Sequence, residues 1–214
     1  AKRPREYNVI RRLIPVCRAR EGLYNACMPE PAGNSIDDAL NRPGRHLSVT
    51  LVAIVCALFI FVLARGVDPM TSEHPAFREG GDHLHYIAMA EEPGGTHQAP
   101  FSHRLLMPTL ARWMPFGLAD SFYFLTVIFL LGTGVLVYYL AAEVPGGAPG
   151  GELPALAAIA IFYSISAGAK FCLYDFWLSE PPLFFFVTLS LYFLVRRRDI
   201  WLSVALAAAV LAKE

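Results

Sequence analysis

The residues best suited to catalysis lie in the short run Gly80-Gly81-Asp82-His83. A carboxylate such as Asp82 acts as a general base when it lies within hydrogen-bond distance of an acceptor hydroxyl and loses water as the substrate binds. The structural alternative is that Asp82 caps a short helix by accepting a bond from a backbone N–H. The two roles exclude each other only in part, so Asp82 is the leading catalytic candidate, with His83 beside it.

Metal binding is a second chemistry that these residue types allow. His83 and His85, with His97 and His103 further along, could gather around Asp82, because imidazole and carboxylate groups suit zinc or manganese. On a helix, however, His83 and His85 do not share a face. We therefore assign no metal ligand and no certain cofactor, and a divalent metal is kept only as an alternative.

Further ionisable residues border apolar segments later in the chain. Asp175 and Glu180 flank a tryptophan-containing turn, and Lys213-Glu214 follows a smooth apolar run. Ionisable groups at the hydrocarbon boundary are costly and are often functional. The alternatives are solvated loop acids for Asp175 and Glu180, and the exposed end of a helix for Lys213 and Glu214.

These residues must be positioned by apolar elements, since 55% of the chain is hydrophobic. Five apolar segments, residues 47–64, 122–142, 153–169, 181–195 and 200–212, are candidates for membrane helices, although the fourth and fifth are short. The sequence predicts an all-α fold, a polytopic transmembrane bundle of about five helices. Its first connection, residues 66–121, is too long for a simple connector. Within that connection we expect two short interfacial helices, over residues 83–92 and about 101–113, with Pro108 beginning or kinking the second.

Charge placement predicts the orientation of this bundle, because lysine and arginine are retained on the cytoplasmic side. Residues 1–45 carry nine such residues, whereas residues 66–121 carry three against seven acids. We therefore divide the chain into a basic cytoplasmic segment, residues 1–46, and a membrane domain, residues 47–214, whose loop 66–121 is external. Alternation of the helices then brings Asp82, Asp175, Glu180 and the Lys213-Glu214 end to the same external face. The apolar run that ends at Lys213-Glu214 also suggests the N-terminal part of a longer protein.

Some classes of protein are disfavoured by composition. The formal net charge is zero and no basic face is interleaved with aromatic residues, which argues against nucleic-acid binding. No disulfide framework is expected, because Cys17 and Cys27 lie in the predicted cytoplasmic segment, where thiols stay reduced, and Cys56 and Cys172 lie within or at the end of helices. The spacings of the four cysteines fit no zinc site.

Several short motifs resemble the GT-C superfamily of integral-membrane glycosyltransferases. They are Gly81-Asp82-His83 with His85-Tyr86-Ile87-Ala88 after the first helix, the run from Pro100 to Pro108, the turn from Asp175 to Pro181, and Leu211-Ala212-Lys213-Glu214. The chain is similar to bacterial and archaeal members grouped with protein O-mannosyltransferases and related lipid-linked sugar transferases. The resemblance covers roughly residues 47–214.

The resemblance implies transfer of a sugar from a polyprenyl-phosphate donor to a glycan, lipid or protein acceptor at the external face of a prokaryotic plasma membrane. Asp82 is then the general base, and His83 stands where many relatives have a second acid. Arg104 and Lys213, with His103, would neutralise the donor phosphate, because cations stabilise a phosphate leaving group. Asp175, Glu180 and Glu214 would complete the substrate site. The competing hypothesis is a non-enzymatic polytopic protein or transporter with a histidine-rich, metal-binding external loop.

Overall fold

A computed structural model describes residues 43–74, 77, 81–92, 104–143 and 152–213. The chain divides into two compact units, residues 1–45 and 46–214. Almost all of the first unit, and with it the predicted basic cytoplasmic segment, lies outside the described residues. All the helices described from Leu47 onwards belong to the second unit.

All regular secondary structure of the described residues is helical, which confirms the predicted all-α class. The helices are α1 (Pro43–Arg65), α2 (Asp82–Glu91), α3 (Leu106–Trp113), α4 (Leu118–Glu143), α5 (Glu152–Ser164), a π-helical turn (Ser166–Lys170), α6 (Phe171–Tyr174), α7 (Glu180–Val195) and α8 (Asp199–Lys213). Four of the five predicted apolar segments each form one helix, the third is divided, and the loop 66–121 contains two short helices where two were expected. In α3, Pro108 lies in the first turn, where its missing N–H removes no intrahelical bond.

The predicted helix over residues 153–169 is interrupted in the structure. Ile165 has an extended backbone, with φ −69° and ψ 100°, and the π-helical turn follows it. The sequence around the break, Ser164-Ile165-Ser166, contains no strong helix former, and serine offers the backbone alternative hydrogen bonds. The chain therefore bends by 47° between α5 and the segment that leads into α6.

Membrane-spanning character is shown for only part of the helices. Among the described residues, one helix, Leu118–Ala142, is long and apolar enough to cross a bilayer alone. The bent pair Glu152–Ser164 and Gly168–Tyr174 is a second candidate if it is taken as one span, whereas Val49–Arg65 and Glu180–Val195 are apolar but shorter. One or two spans are thus supported by length and composition, and the predicted bundle of about five is not shown.

Helix α4 is the central element of this unit, because it contacts α3, α5, α6 and α7. Two groups of buried side chains surround it. The stem core joins α1, α4, α5 and α6 and consists of Val52, Cys56, Ile60, Leu130, Tyr138, Ala155, Ile159, Tyr163, Ala169, Cys172 and Leu173. The loop core lies at the start of α4 and consists of Met70, Tyr86, Met89, Ala90, Met107, Ala111, Phe122, Leu125, Phe129, Phe176, Trp177 and Leu178. The loop core is the part that positions the candidate site.

Candidate functional site

Helix α2 presents Asp82 at its first position. Gly81 occupies the N-cap, so the alternative in which Asp82 itself caps the helix is not what the structure shows. The Asp82 side chain is exposed, while Tyr86, Met89 and Ala90 face the loop core. A carboxylate in the first turn also interacts favourably with the positive end of the helix dipole. The helix therefore holds Asp82 at the surface of a well-packed element.

His83 is buried against aromatic and backbone atoms and is only 4% exposed. Its ring lies 4.2 Å from that of Phe77, measured between centroids. The ring also packs so closely over Gly81 that a β-carbon at that glycine would overlap it. Neighbouring positions on α2 thus carry an exposed carboxylate and an imidazole enclosed by packing.

Tyr86 lies one helical turn after Asp82, and its hydroxyl group binds Arg104. Arg104 Nη1 donates a hydrogen bond of 2.6 Å to the Tyr86 hydroxyl. The same hydroxyl lies 3.4 Å from Ser179 Oγ. Hydrogen bonds that involve a charged group are shorter and stronger than neutral ones. Tyr86 therefore connects α2, the residues that precede α3 and the loop that precedes α7.

A salt bridge joins the N-terminal end of α7 to the C-terminal end of α8. Lys213 Nζ donates to Glu180 Oε1 at 2.6 Å, and the two side chains are 39% and 26% exposed. Because both groups are partly removed from water, this pair is screened less than a pair on an open surface. Lys213 is thus held beside the same loop that carries Ser179.

The loop of residues 175–179 is fixed to the rest of the loop core by backbone contacts. Trp177 Nε1 donates to the Met70 carbonyl at 2.8 Å, and Thr126 Oγ1 donates to the Phe176 carbonyl at 3.1 Å. The Met70 amide in turn donates to the Tyr174 carbonyl at 2.8 Å. These bonds tie the loop to α4 and to the segment after α1. The backbone of Asp175, and of Glu180 directly after the loop, therefore has a defined position.

The charges of the site influence one another. The hydrogen bond with Tyr86 raises the pKa of Arg104, and nearby Glu180 and Asp82 add to that rise. Burial raises the pKa of Asp175 to about 6, with further contributions from Glu180 and Asp82, although the Trp177 backbone N–H opposes the shift. These couplings place Asp82, Arg104, Asp175 and Glu180 in one electrostatic neighbourhood.

Two carboxylate oxygens of this neighbourhood are buried without a hydrogen-bond partner among the described residues. They are Asp175 Oδ1 and Glu180 Oε2. A buried acceptor without a donor is unfavourable by about 1–3 kcal/mol.

The structure brings together most of the residues that the sequence singled out. Lys213 pairs with Glu180 where the end of α8 lies beside the start of α7, and Tyr86 joins Arg104 to Ser179 of the preceding loop. Asp82 and Asp175 are near enough to these charges to influence them. His103 and Glu214 lie outside the described residues.

The sequence interpretation missed Tyr86 and Ser179. The spacing of Tyr86 from Asp82, four residues on a predicted helix, places both near one face and would have been a usable signal. The serine before Glu180 and two prolines is a typical helix-start signal, and Ser179 is the N-cap of α7, but nothing in the local sequence indicated its contact with Tyr86.

A metal centre finds no support among the residues that the structure describes, where no three histidine, cysteine or acidic side chains lie close enough to hold an ion. His97 and His103, two of the proposed ligands, are outside that part of the chain. The chemistry of the described site is therefore that of an exposed carboxylate, two cations and two carboxylates with buried oxygens.

Comparisons with protein-family models, with curated proteins and with solved structures give no significant match to this chain. Function therefore has to be inferred from the side chains themselves.

Proposed function

We propose that the protein is a membrane glycosyltransferase of the GT-C type, which moves a sugar from a polyprenyl-phosphate donor to an acceptor hydroxyl. The observation that carries the proposal is the convergence of Asp82, Arg104, Asp175, Glu180 and Lys213 at one end of the helical unit. These residues come from four separate segments of the chain. A base, two cations and hydrogen-bond acceptors in one place are the groups that transfer from a phosphate leaving group needs.

The membrane part of the proposal is supported by apolar side chains on the outer faces of the long helices. Leu58, Phe61 and Val62 on α1 are 55–67% exposed, and Trp201 and Val204 on α8 are 56% and 55% exposed. Large apolar surfaces of this kind are unfavourable in water and favourable against lipid. We propose that α1, α4, the bent α5–α6 pair, α7 and α8 all cross the bilayer, the shorter ones where it is locally thinned.

In the proposed mechanism, Asp82 takes the proton from the acceptor hydroxyl. The acceptor oxygen attacks the anomeric carbon of the sugar, and the bond between that carbon and the phosphate oxygen breaks with its electron pair moving to the phosphate. A single displacement of this kind inverts the anomeric configuration and forms no covalent sugar–enzyme intermediate. Because Asp82 is exposed at the start of α2, an acceptor can approach it without displacing a packed side chain.

Arg104 is the proposed electrostatic partner of the departing phosphate. The Tyr86 hydroxyl holds Arg104 at this end of the unit, and the planar guanidinium group matches the oxygens of a phosphate. Lys213 lies beside Glu180, which keeps the ammonium group near the same end of the unit. Asp175 and Glu180, which are both only partly buried, would accept hydrogen bonds from sugar hydroxyls.

The test is an Asp82→Asn substitution in the full-length protein, reconstituted in liposomes with polyprenyl-phosphate mannose or polyprenyl-phosphate glucose radiolabelled in the sugar. Label that appears in lipid, peptide or glycan fractions of an added membrane extract measures transfer. We expect the variant to lose transfer by about 10²–10⁴-fold, the usual contribution of a general base. Its thermal unfolding should be unchanged, because Asp82 is exposed.

Asp120→Asn is the matched control, because Asp120 is also an exposed aspartate in the first turn of a helix. It should transfer label at the wild-type rate. Near-normal transfer by the Asp82→Asn variant would rule out the general-base role. A wild-type protein that releases polyprenyl phosphate from neither donor would rule out the proposed activity.

A further inference from the structure

An open groove of about 300 Å³ is lined by residues other than those of the proposed transferase site, although Tyr174 in its wall directly precedes Asp175. Its lining comes from two places in the chain, namely the residues that follow α1 and those around the start of α6: Gly66, Val67, Asp68, Lys170, Phe171 and Tyr174. Ligand pockets commonly have volumes of about 300–1,000 Å³, so this groove suits a small group rather than a whole lipid or a large cofactor.

The walls of the groove are held in place by the rest of the unit. The Met70 amide donates to the Tyr174 carbonyl at 2.8 Å, which ties the segment after α1 to the end of α6. The Tyr174 ring meets His74 edge to face, with 5.7 Å between the ring centroids. The groove therefore belongs to the fold and does not depend on a freely moving chain segment.

Its two ionisable lining residues have opposite charges. Lys170 is exposed at the end of the π-helical turn. The Asp68 side chain is 89% exposed, so most of its carboxylate stays open although His74 Nε2 lies 3.6 Å from Oδ2. A cation and an anion that border one small groove are complementary to a ligand that carries both charges.

The surroundings of the groove are apolar. Phe171 in its wall is 45% exposed, and the last turns of α1 beside it expose Phe61 and Val62 by 55% and 67%. Aromatic side chains and lysines are typical of the level where hydrocarbon meets headgroups, because the apolar body and the polar tip then face different media. The groove thus lies where apolar helix faces give way to charged residues.

We propose that this groove binds the headgroup of an aminophospholipid, with Lys170 on the phosphate and Asp68 on the primary ammonium group. The hydrocarbon chains of the lipid would lie along Phe171 and the exposed face of α1. The proposal depends on the membrane environment proposed above but not on sugar transfer, since none of the lining residues belongs to the transferase site.

The test uses the full chain reconstituted into nanodiscs that contain phosphatidylethanolamine, phosphatidylglycerol and phosphatidylcholine in equal amounts. After extraction into mild detergent, native mass spectrometry counts the lipids that remain bound. We expect phosphatidylethanolamine to be retained up to about fivefold over either other lipid, which is the upper end of what one exposed ion pair provides. Asp68→Asn should abolish the preference over phosphatidylglycerol, and Lys170→Gln should lower the retention of all three lipids.

Two control variants change similar charges away from the groove. Asp120→Asn alters an exposed aspartate of α4, and Arg197→Gln alters an exposed cation after the end of α7; both should retain lipid as the wild type does. Equal retention of the three lipids by the wild type, or a preference for phosphatidylglycerol, would overturn the proposal. So would an unchanged preference in the Asp68→Asn and Lys170→Gln variants.

The source of the headgroup is tested by adding soluble glycerophosphoethanolamine to the lipid-loaded protein. Continued retention of the phospholipid at equimolar competitor supports a bilayer lipid as the occupant, whereas its displacement would overturn that identity. A chain that does not enter nanodiscs would contradict the membrane environment itself. A chain that enters them without headgroup preference would contradict the groove alone.

Discussion

The stem core and the loop core each contain a fully buried tyrosine, and the hydroxyl groups of the two tyrosines bind different kinds of partner. In the stem core, Tyr163 donates to the Leu130 carbonyl at 2.9 Å and so connects two apolar helices. In the loop core, Tyr86 accepts a hydrogen bond of 2.6 Å from Arg104, a charged residue. The stem core therefore satisfies its polar groups within the helices, whereas the loop core uses them to hold charges at the end of the unit. Substitutions in the two cores should therefore differ in how much stability they cost.

Trp177→Ala should cause the largest loss, because Trp177 is 3% exposed and forms the middle of the loop core. Replacing a buried aromatic residue by alanine costs about 3–5 kcal/mol. The change also leaves the Met70 carbonyl without its indole partner. Thermal unfolding in detergent measures the loss, and Trp113→Ala, at a tryptophan that is 76% exposed, is the matched control. Equal effects at the two positions would show that the loop core is not a packed structure.

Tyr86→Phe and Tyr163→Phe form a matched pair that separates the two cores directly. Loss of a hydrogen bond to a charged group costs about 1.5–3 kcal/mol, whereas loss of a neutral one costs about 0.5–1.5 kcal/mol. We therefore expect Tyr86→Phe to be the more destabilising of the two. A double-mutant cycle with Arg104→Met should show that most of the Tyr86 effect disappears once the cation is absent. Additive effects in that cycle would show that Tyr86 does not position Arg104.

Gly134→Ala tests how tightly the stem core is packed. A β-carbon at this position would overlap the Tyr163 hydroxyl and would lie 2.9 Å from Cys56 Sγ. Overpacking costs about 1–3 kcal/mol, while alanine in a helix regains up to about 1 kcal/mol, so we expect a net loss of about 1–2 kcal/mol. At Gly117 the added carbon would meet only Asp120 Oδ2 at 3.5 Å, an ordinary contact, so Gly117→Ala should be nearly neutral. A stabilised Gly134→Ala variant would contradict the close approach of α1, α4 and α5.

Asp175→Asn should have the smallest effect, and the size of this effect should depend on pH. Burial raises the pKa of Asp175 from about 3.8 to about 6, so the folded protein binds this proton more tightly than the unfolded chain does. The resulting stability is fully present below about pH 4 and is lost as the pH rises through 6. Above pH 6 the asparagine variant should therefore be more stable by about 1 kcal/mol, a value reduced because the group is partly solvated. Unfolding midpoints at pH 4 and pH 8 measure this difference, and a pH-independent difference would contradict it.

Most of the helical architecture could be predicted because helix formation is largely a local property. The apolar runs marked α1, α4, α7 and α8 closely, and Gly81 and Pro108 marked the beginnings of α2 and α3. The break at Ile165 was missed, because the residues around it are apolar or small and resemble their helical neighbours. Whether each apolar helix spans a bilayer is a separate property, for which length and composition support one or two helices.

The sequence indicated which charged residues lie near one another in the candidate site, but it did not indicate which side chains contact them. Alternation of the predicted helices placed Asp82, Asp175, Glu180 and Lys213 at one end, and the structure brings them to the same end of the unit. It also places Arg104 there, held by Tyr86. The environment of His83 could not be read from its neighbours, because it depends on Phe77 and on how closely the ring approaches Gly81.

The helical class and the approximate helix positions could thus be taken from the amino-acid sequence, which also supplied the charged residues of the candidate site. Those features follow from hydrophobic runs, helix breakers and charge order along the chain, all of which are local or additive. Only the tertiary structure decided which side chains meet. Tyr86 and Ser179 are 93 residues apart in the chain, and the groove that borders Lys170 also includes Asp68. Contacts of this kind depend on how the helices pack and where α5 bends, and packing is a property of the whole unit.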